Sequence, residues 1–336
     1  MELLRRLRID PYVLLLLATV GVAALMPVRG QGAVLFHHVV TAAIALLFFL
    51  YGAKLSPAAV GRGLLHWRLQ GTVFLITFAL FPLVGLGVAT LARGQLPADL
   101  LTGLVYLSLL PSTVQSSIAF TSIARGNVAA ALTSASISNL IGVILTPLLT
   151  ALVLGGVVGG MNAGSILDIA LQILLPFALG QMARPLIGGW LAGHKTLTSV
   201  VDRGAILLVV YSAFSEGMVA GVWSRVSAHD LLWVFLLCCL LLGIIMGITA
   251  GLARGLGFDR EDRIAILFCG SKKSLATGIP MAGILFAGQT MALIVLPLML
   301  FHQIQLFVCA IIAQRFAATA ATETASPVPQ AAPGKS

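Results

Sequence analysis

The chain has 336 residues, of which 59% are hydrophobic and only 9% are charged, and its mean hydropathy is +1.05. So little polar surface cannot cover a soluble globule, which excludes a water-soluble enzyme or binding domain and predicts an all-α, polytopic membrane protein. The net charge of +9 comes mostly from lysines and arginines in short loops between apolar runs, so it indicates orientation in a membrane and implies no nucleic-acid partner.

Apolar runs long enough to cross about 30 Å of hydrocarbon occur ten times along the chain. These segments one to ten lie near residues 12–28, 34–53, 71–92, 98–123, 128–157, 165–190, 197–221, 229–253, 261–286 and 289–314. A membrane domain is therefore predicted over residues 1–316. Residues 317–336 are rich in Ala, Thr, Pro and Ser, which predicts a disordered cytoplasmic tail.

The distribution of lysine and arginine predicts that both termini are cytoplasmic. With the N-terminus inside, fifteen of the twenty basic residues fall on the inner side, and Arg29, Arg93 and Arg225 fall on the outer side. The other two are Lys272 and Lys273, within segment nine. This asymmetry supports the count of ten segments and a multi-pass location in the cytoplasmic (inner) membrane.

Segment four is predicted to be a broken helix. Pro111 removes a backbone donor in the middle of this segment, and polar side chains that follow it can satisfy the freed backbone groups. These side chains are Ser112, Thr113, Gln115, Ser116 and Ser117.

Segment nine contains a second interruption, and it carries two charges at bilayer depth. Gly270 and Ser271 precede Lys272 and Lys273, and Ser274 follows them. A charge in hydrocarbon is costly, so it is normally kept only where it faces protein or a water-filled path and has a task. The two lysines are therefore the strongest indication of function in the sequence.

Segments four and nine are the fourth members of two successive groups of five. Broken helices at corresponding places in two halves are typical of inverted-repeat secondary transporters, which bind their substrates near the membrane midplane. The alternative is a pair of kinked helices without a special role.

Several other polar residues are candidates for a binding site. Glu216, near the outer end of segment seven, could be a gate, a substrate contact or an interfacial carboxylate. In segment five, Thr133, Ser134 and Asn139 could line a polar pocket. His302 in segment ten is more simply a helix-packing partner than a proton relay.

No spacing in the sequence indicates a metal site or a cofactor. The four cysteines have no Cys-x-x-Cys spacing and are expected to be buried free thiols. They are Cys238, Cys239, Cys269 and Cys309.

The chain resembles the bile acid:sodium symporter superfamily, most closely its divergent bacterial branch, over about residues 10–316. The likeness is carried by residues 111–127 (PSTVQSSIAFTSIARGN), the run through 145–147 (LTP) and residues 268–280 (FCGSKKSLATGIP). It implies ten helices in two inverted repeats of five, with broken segments four and nine crossing. Residues 12–53 and 165–221 would form a panel domain, and residues 71–157 and 229–314 a core domain.

Typical members bind two sodium ions behind the crossing, and the resemblance carries few of the sodium ligands to this chain. The serine ligand falls on Ser117, and the glutamine of segment three falls near Thr77. The acidic ligand falls on Phe268, and the glutamine four residues later falls on Lys272. A sodium site needs several hard oxygens and a carboxylate, so the sequence predicts that only vestiges of these sites remain.

An ammonium at a former ligand position could replace a bound cation. We expect Lys272 to lie among backbone carbonyls at the unwound end of a half-helix. Because a desolvated lysine loses its proton readily, Lys272 could couple transport to protons. Sodium coupling and uncoupled transport stay open, and the alternative is a purely structural lysine.

Together these features predict a secondary active transporter, without enzymatic activity, for a small amphipathic organic anion of bile acid-like chemistry. It would work by alternating access and have the anion and membrane lipid as its partners. An ion or proton exchanger and a non-transporting membrane regulator are the alternatives, and the oligomeric state is open.

Overall fold

The protein was analysed as a computed structural model that describes residues 11–54, 66–155, 163–286 and 290–325. Across these ranges the chain is helical and contains no strand, which confirms the all-α prediction. The helices are α1 Pro11–Leu25, α2 Gly30–Lys54, α3 Trp67–Leu91, α4 Ala98–Leu109, α5 Gln115–Ile123, α6 Val128–Leu154, α7 Ala163–Gly193, α8 Lys195–Val219, α9 Ala228–Gly255, α10 Arg260–Gly270, α11 Leu275–Leu285 and α12 Met291–Ala325.

Six of the described helices are long and apolar enough to cross a membrane. They belong to α2, α3, α6, α8, α9 and α12. Each predicted segment coincides with one helix or, for segments four and nine, with a consecutive pair. The chain is therefore a multi-pass membrane protein, whereas ten complete spans in two inverted repeats stay a prediction.

Helices α2 and α7 pack with their backbones in contact because each has a glycine at the crossing. A Cβ on Gly52 would lie 2.0 Å from the carbonyl oxygen of Phe177, and one on Gly180 would lie 1.9 Å from that of Phe49. No side chain fits at these distances. Small residues at such crossings give membrane helices the close packing that replaces the hydrophobic effect between them.

Helices α1 and α8 complete a group with α2 and α7, and an ion pair between Lys54 and Asp202 (3.3 Å) ties α2 to α8. The other eight helices form a second group, in which α4 packs closely on α12 because Gly103 lets α4 approach the backbone of Ile294. The two groups meet chiefly through α8 on α11 and α12, and through α7 on α6. Their roles as panel and core domains stay a prediction.

Two sequence-based expectations need correction. Helix α12 continues to Ala325, so residues 317–325 are helical, and the predicted tail beyond them, residues 326–336, lies outside the described residues. The helix continues because five alanines and Glu323, which favour helix, lie between Phe316 and Ser326, although this stretch is only weakly hydrophobic. The four thiols are free as expected, but Cys239 is only half-buried.

Candidate functional site

Both predicted breaks are present in the structure. Helix α4 ends at Leu109, the backbone is extended at Leu110, and α5 begins at Gln115. Helix α10 ends at Gly270, and α11 begins at Leu275. We call residues 110–114 break one and residues 271–274 break two.

The two breaks contact each other directly. Ser274 N–H of break two donates to Pro111 O of break one (2.9 Å). Beside this contact, the Ser112 hydroxyl of break one donates to Cys269 O of α10, and the Ser117 hydroxyl of α5 donates to Phe268 O of α10 (3.0 Å). The last carbonyls of a helix have no partner within it, so the hydroxyls of Ser112 and Ser117 satisfy two of those of α10. The structure thus brings together the segments that the sequence singled out.

Helix α6 holds break one. The Asn139 amide donates to Ser112 O (2.6 Å), and the Ser138 hydroxyl accepts from Ser112 N–H (3.0 Å). Thr277, just after break two, donates to the Asn139 side-chain oxygen (2.7 Å). Gly142 permits this approach, because a Cβ there would lie 2.6 Å from the Pro111 side chain.

Helix α12 holds break two through one residue that the sequence analysis left out of the candidate site. Gln305 accepts from Lys273 N–H through Oε1 (2.9 Å) and donates to Lys273 O through Nε2 (2.9 Å). Nε2 also lies 2.9 Å from His302 Nδ1. An amide in the middle of an apolar helix was the available signal, since buried polar groups need partners.

Lys273 is fully buried and is held by backbone oxygens of two other elements. Its ammonium donates to Thr77 O (2.8 Å) and Leu110 O (2.6 Å), and it lies 4.1 Å from the centre of the Phe81 ring. Thr77 lies in a π-helical stretch of α3, Ile76–Leu80, and such stretches shift the backbone hydrogen bonds of a helix. Leu110 follows the end of α4, where carbonyls lack helical partners.

Lys272 is also fully buried but has a different environment. Its ammonium donates to the Ser116 hydroxyl (3.2 Å) and lies 4.6 Å and 5.7 Å from the ring centres of Phe120 and Phe268. The Ser116 hydroxyl continues to Thr113 (2.7 Å) in a chain of hydroxyls. The acidic-ligand position of the resemblance is thus a buried phenyl ring.

The expectation that Lys272 lies among backbone carbonyls is wrong, and Lys273 has that position instead. Adjacent residues point to different sides of the chain, so only one of the two lysines can reach the carbonyls of α3 and break one. Among the described residues, neither ammonium has a carboxylate partner; the ion pairs there are Lys54–Asp202 and His229–Asp230.

The other candidate residues are placed less centrally. The Ser271 hydroxyl donates to Leu267 O of the preceding helix α10, and the Thr133 hydroxyl donates to Ala129 O of its own helix α6 (2.9 Å). Gln115 is exposed, so neither it nor Thr133 is brought into the contact between the breaks. Ser134 is buried, and its hydroxyl has no partner among the described residues.

Glu216 lies away from the breaks, at a cavity of about 360 Å³ between α2, α7, α8, α11 and the start of α12. The polar residues of this Glu216 cavity are His37, Thr41, Gln172, Ser212 and Glu216. Ser212 donates to the Glu216 carboxylate (3.0 Å). Phe286, in the cavity wall, packs edge-on against Tyr106 (4.9 Å), whose hydroxyl donates to Gly278 O of α11 (2.7 Å).

Residues 10–318 match the SBF-like CPA transporter family. The chain belongs to this family. It is 52% identical over 309 residues to an uncharacterised protein of Pseudomonas aeruginosa, covering 92% of this chain and 93% of that protein. It is 48% identical over 308 residues to the Escherichia coli protein named "Putative symporter YfeH", with coverage of 92% and 93%.

A more distant relative is the rat protein named sodium/bile acid cotransporter 7, which is 28% identical over 312 residues, 91% of this chain and 92% of the relative. The predicted resemblance to the bile acid:sodium symporter superfamily is therefore confirmed. Membership in the SBF-like CPA transporter family makes the chain a membrane transporter rather than an enzyme.

Proposed function

We propose that this protein is a secondary active transporter that moves a small amphipathic organic anion, of bile acid-like chemistry, across the cytoplasmic membrane by alternating access. Ten transmembrane helices in two inverted repeats of five would form it, with both termini in the cytoplasm. The observation that carries the proposal is the direct contact of two broken helices around two buried ammonium groups. Broken helices that meet at a polar centre are the typical substrate and ion sites of such transporters.

The Glu216 cavity supports the proposal as a place for the apolar body of a substrate. Its volume of about 360 Å³ lies at the lower end of ordinary ligand pockets, and most of its wall is apolar. It lies between the two packed groups of helices, which are the parts that alternating access would move against each other. The wall also includes Ile284 of α11, the helix that starts at break two.

Coupling to sodium is not required in this proposal. The ammonium of Lys273 already supplies a positive charge to the carbonyl oxygens of Thr77 and Leu110, as a bound cation would. Lys272 is the better candidate for proton coupling. Its ammonium donates one hydrogen bond, to a hydroxyl, whereas that of Lys273 donates two, to backbone carbonyls, so fewer acceptors hold the positive charge of Lys272 in place.

An ion or proton exchanger is the second candidate, and Glu216 favours it. The lining residues of its cavity include this carboxylate but no lysine or arginine, so the cavity itself attracts cations and protons more than anions. The anion preference rests instead on the two lysines and on the names of relatives. A non-transporting regulator is the weakest alternative, since a scaffold has no need of unwound helices inside the fold.

The decisive experiment is uptake by purified protein in liposomes, with taurocholate as the probe, because its sulfonate stays charged across the pH range used. We expect uptake above that of protein-free liposomes, stimulation by an inward proton gradient, and no change when potassium replaces sodium. Uptake that required sodium would contradict the coupling proposal.

Proton or cation flux through the protein without taurocholate uptake would favour the exchanger. No flux of either kind, with a folded protein in the membrane, would contradict the transporter proposal itself. Lys272→Met in the same liposomes is the matched variant, because it removes the ammonium while keeping a side chain of similar length.

A further inference from the structure

The side chain of Gln305 has only one orientation that satisfies its contacts with break two. The backbone N–H of Lys273 can only donate, so the atom facing it must be the oxygen of Gln305 (2.9 Å). The backbone oxygen of Lys273 can only accept, so the atom facing it must be the nitrogen of Gln305 (2.9 Å). The two hydrogen bonds form a clamp on a single peptide unit, and both depend on this orientation.

The orientation of Gln305 limits which forms of His302 can accept a hydrogen bond from it. An amide nitrogen has two hydrogens, and the clamp uses one of them for Lys273 O. The other is available to His302 Nδ1, 2.9 Å from Nε2. Nδ1 must then accept, which requires a neutral imidazole without a proton on Nδ1. Protonated His302 would place an N–H against an N–H.

We propose that His302 and Gln305 form a proton-sensitive latch on break two, in which neutral His302 keeps the Gln305 clamp on Lys273 closed and protonation of His302 opens it. His302 and Gln305 are positioning residues, since they act on the ammonium of Lys273 through its backbone. Opening the latch frees the peptide unit of Lys273. The ammonium of this residue donates to Thr77 O in α3 and to Leu110 O in break one, and so joins these two elements.

The latch has a consequence for transport that rests on the proposed function. Break two forms part of the polar centre at which transporters with broken helices bind substrates and ions, and the clamp anchors it to α12. Protonation from one side of the membrane would therefore release this anchor. Lys272 stays the proposed coupling residue, and the latch regulates how firmly break two is held during the cycle.

Other ionisable groups surround this part of α12 and could also respond to pH. On the elements packed against it, the described groups include Lys272 and Lys273 of break two, Cys309 and Arg315 of α12, Cys238 and Cys239 of α9, and Tyr106 of α4. Nearer the ends of α4, α8 and α9 lie Asp99, Asp202, Arg203, Tyr211, Glu216, His229, Asp230 and Arg254. The test must therefore distinguish His302 from these groups. Variants that cannot titrate at position 302 do so.

The test is hydrogen–deuterium exchange of the full-length protein in detergent micelles, followed on peptides that cover residues 271–275 at pH 8 and pH 5 after correction for intrinsic exchange. We expect protection of this segment to fall about tenfold at pH 5, as loss of one or two buried hydrogen bonds implies. Peptides from the middle of α6 are the internal control and should keep their protection.

His302→Asn is the main variant, because an asparagine side-chain oxygen can accept from Gln305 at about the position of Nδ1 and does not titrate. Its protection should be as high at pH 5 as at pH 8. Gln305→Met removes the clamp, so its protection should be low at both pH values while the α6 control peptides stay protected. His302→Phe, which also cannot titrate, serves if His302→Asn does not fold.

Wild-type protection that stays the same between pH 8 and pH 5 would overturn the latch. An unchanged pH-dependent loss in His302→Asn or His302→Phe would overturn it too, because another group would then be responsible. Taurocholate uptake in liposomes separates the two proposals. Absence of uptake at every pH counts against the proposed function, whereas the exchange result alone decides the latch.

Discussion

Break one and break two are supported in the same way but have different side chains. Each interrupts a helix inside the fold, and each is held by an amide from the long helix that follows it, Asn139 of α6 for break one and Gln305 of α12 for break two. Break one provides a proline and neutral hydroxyls, whereas break two provides two ammonium groups. The inverted repeat that the sequence predicts would place the two supports at corresponding positions, whereas the side chains of the two breaks differ.

This comparison shows how the buried ammonium of Lys273 can be stabilised without a carboxylate partner. Break one leaves the carbonyl of Leu110 without a helical partner, and break two supplies the ammonium of Lys273 to it (2.6 Å). A buried ion is tolerated when hydrogen bonds satisfy it, and here they come from backbone dipoles. Break one therefore supplies a carbonyl acceptor, and break two supplies the ammonium that donates to it.

The largest effect is expected from Lys273→Met, which removes the ammonium that joins the breaks. It leaves the carbonyls of Thr77 and Leu110 buried without a donor and deletes the contact with the Phe81 ring. Unpaired buried acceptors cost about 1–3 kcal/mol each, so we expect the free energy of unfolding to fall by about 3 kcal/mol. Thermal unfolding in detergent, followed by tryptophan fluorescence, measures it.

Lys272→Met is the matched control for this prediction, because it removes an equally buried ammonium one residue away. The sequence analysis assigned a possible coupling role in transport to Lys272, whereas the contacts predict that Lys273 matters more for stability. Equal losses in the two variants would mean that the carbonyl contacts of Lys273 do not stabilise the junction.

Much of this site could be predicted from the sequence because its signals are local. Pro111 and Gly270 are helix-breaking residues in apolar segments, and two adjacent lysines in such a segment can hardly be overlooked. The different hydrogen-bond partners of the two lysines could not be predicted, since Lys273 bonds to Thr77 O, which lies in a π-helical stretch. No residue pattern in residues 76–80 marks that stretch.

Gln305 was missed for a related reason. Its partner is the backbone of Lys273, 32 residues earlier, and a backbone group leaves no trace in the residue types. Thr133 shows the opposite error: a hydroxyl in the right segment bonds its own helix instead of the site, because serine and threonine readily bond the carbonyl four residues before them. Sequence patterns locate polar residues better than they assign their partners.

The second prediction tests whether the two supports act together. Asn139→Leu and Gln305→Met should each lower the free energy of unfolding by about 2 kcal/mol, since each leaves buried backbone groups of one break without a partner. The supports are linked, because Asn139 accepts from Thr277 in the first turn of α11, which follows break two (2.7 Å).

We therefore expect the double variant to lose about 1 kcal/mol less than the sum of the single losses, measured by a double-mutant cycle. Asn139→Leu combined with a surface change such as Gln115→Ala is the additive reference. If the two supports were as additive as that reference, the breaks would be independent structures.

The third prediction separates function from stability. Lys272→Met removes one hydrogen bond to Ser116 and the contacts with Phe120 and Phe268, so the loss of stability should be about 1 kcal/mol. Taurocholate uptake in liposomes should nevertheless lose its response to a proton gradient. A variant that still responds like the wild type would assign Lys272 a structural role and remove it as the coupling residue.

The smallest expected effect is that of sodium on stability, which should be zero. This prediction tests whether break two still needs an external cation. A ligand that binds only the native state must raise its apparent stability in proportion to the logarithm of its concentration above Kd. The ammonium of Lys273 already occupies the carbonyls of Thr77 and Leu110, and Phe268 has a phenyl ring where a sodium site would need a carboxylate. We therefore expect no sodium binding at break two. The melting temperature should be the same in sodium and potassium chloride at equal ionic strength.

Lys273→Ala sharpens the test, since it exposes the two carbonyls: stabilisation of this variant by sodium or ammonium, but not of the wild type, would show that the lysine replaces a bound cation. A sodium-specific stabilisation of the wild type with a millimolar midpoint would contradict that replacement.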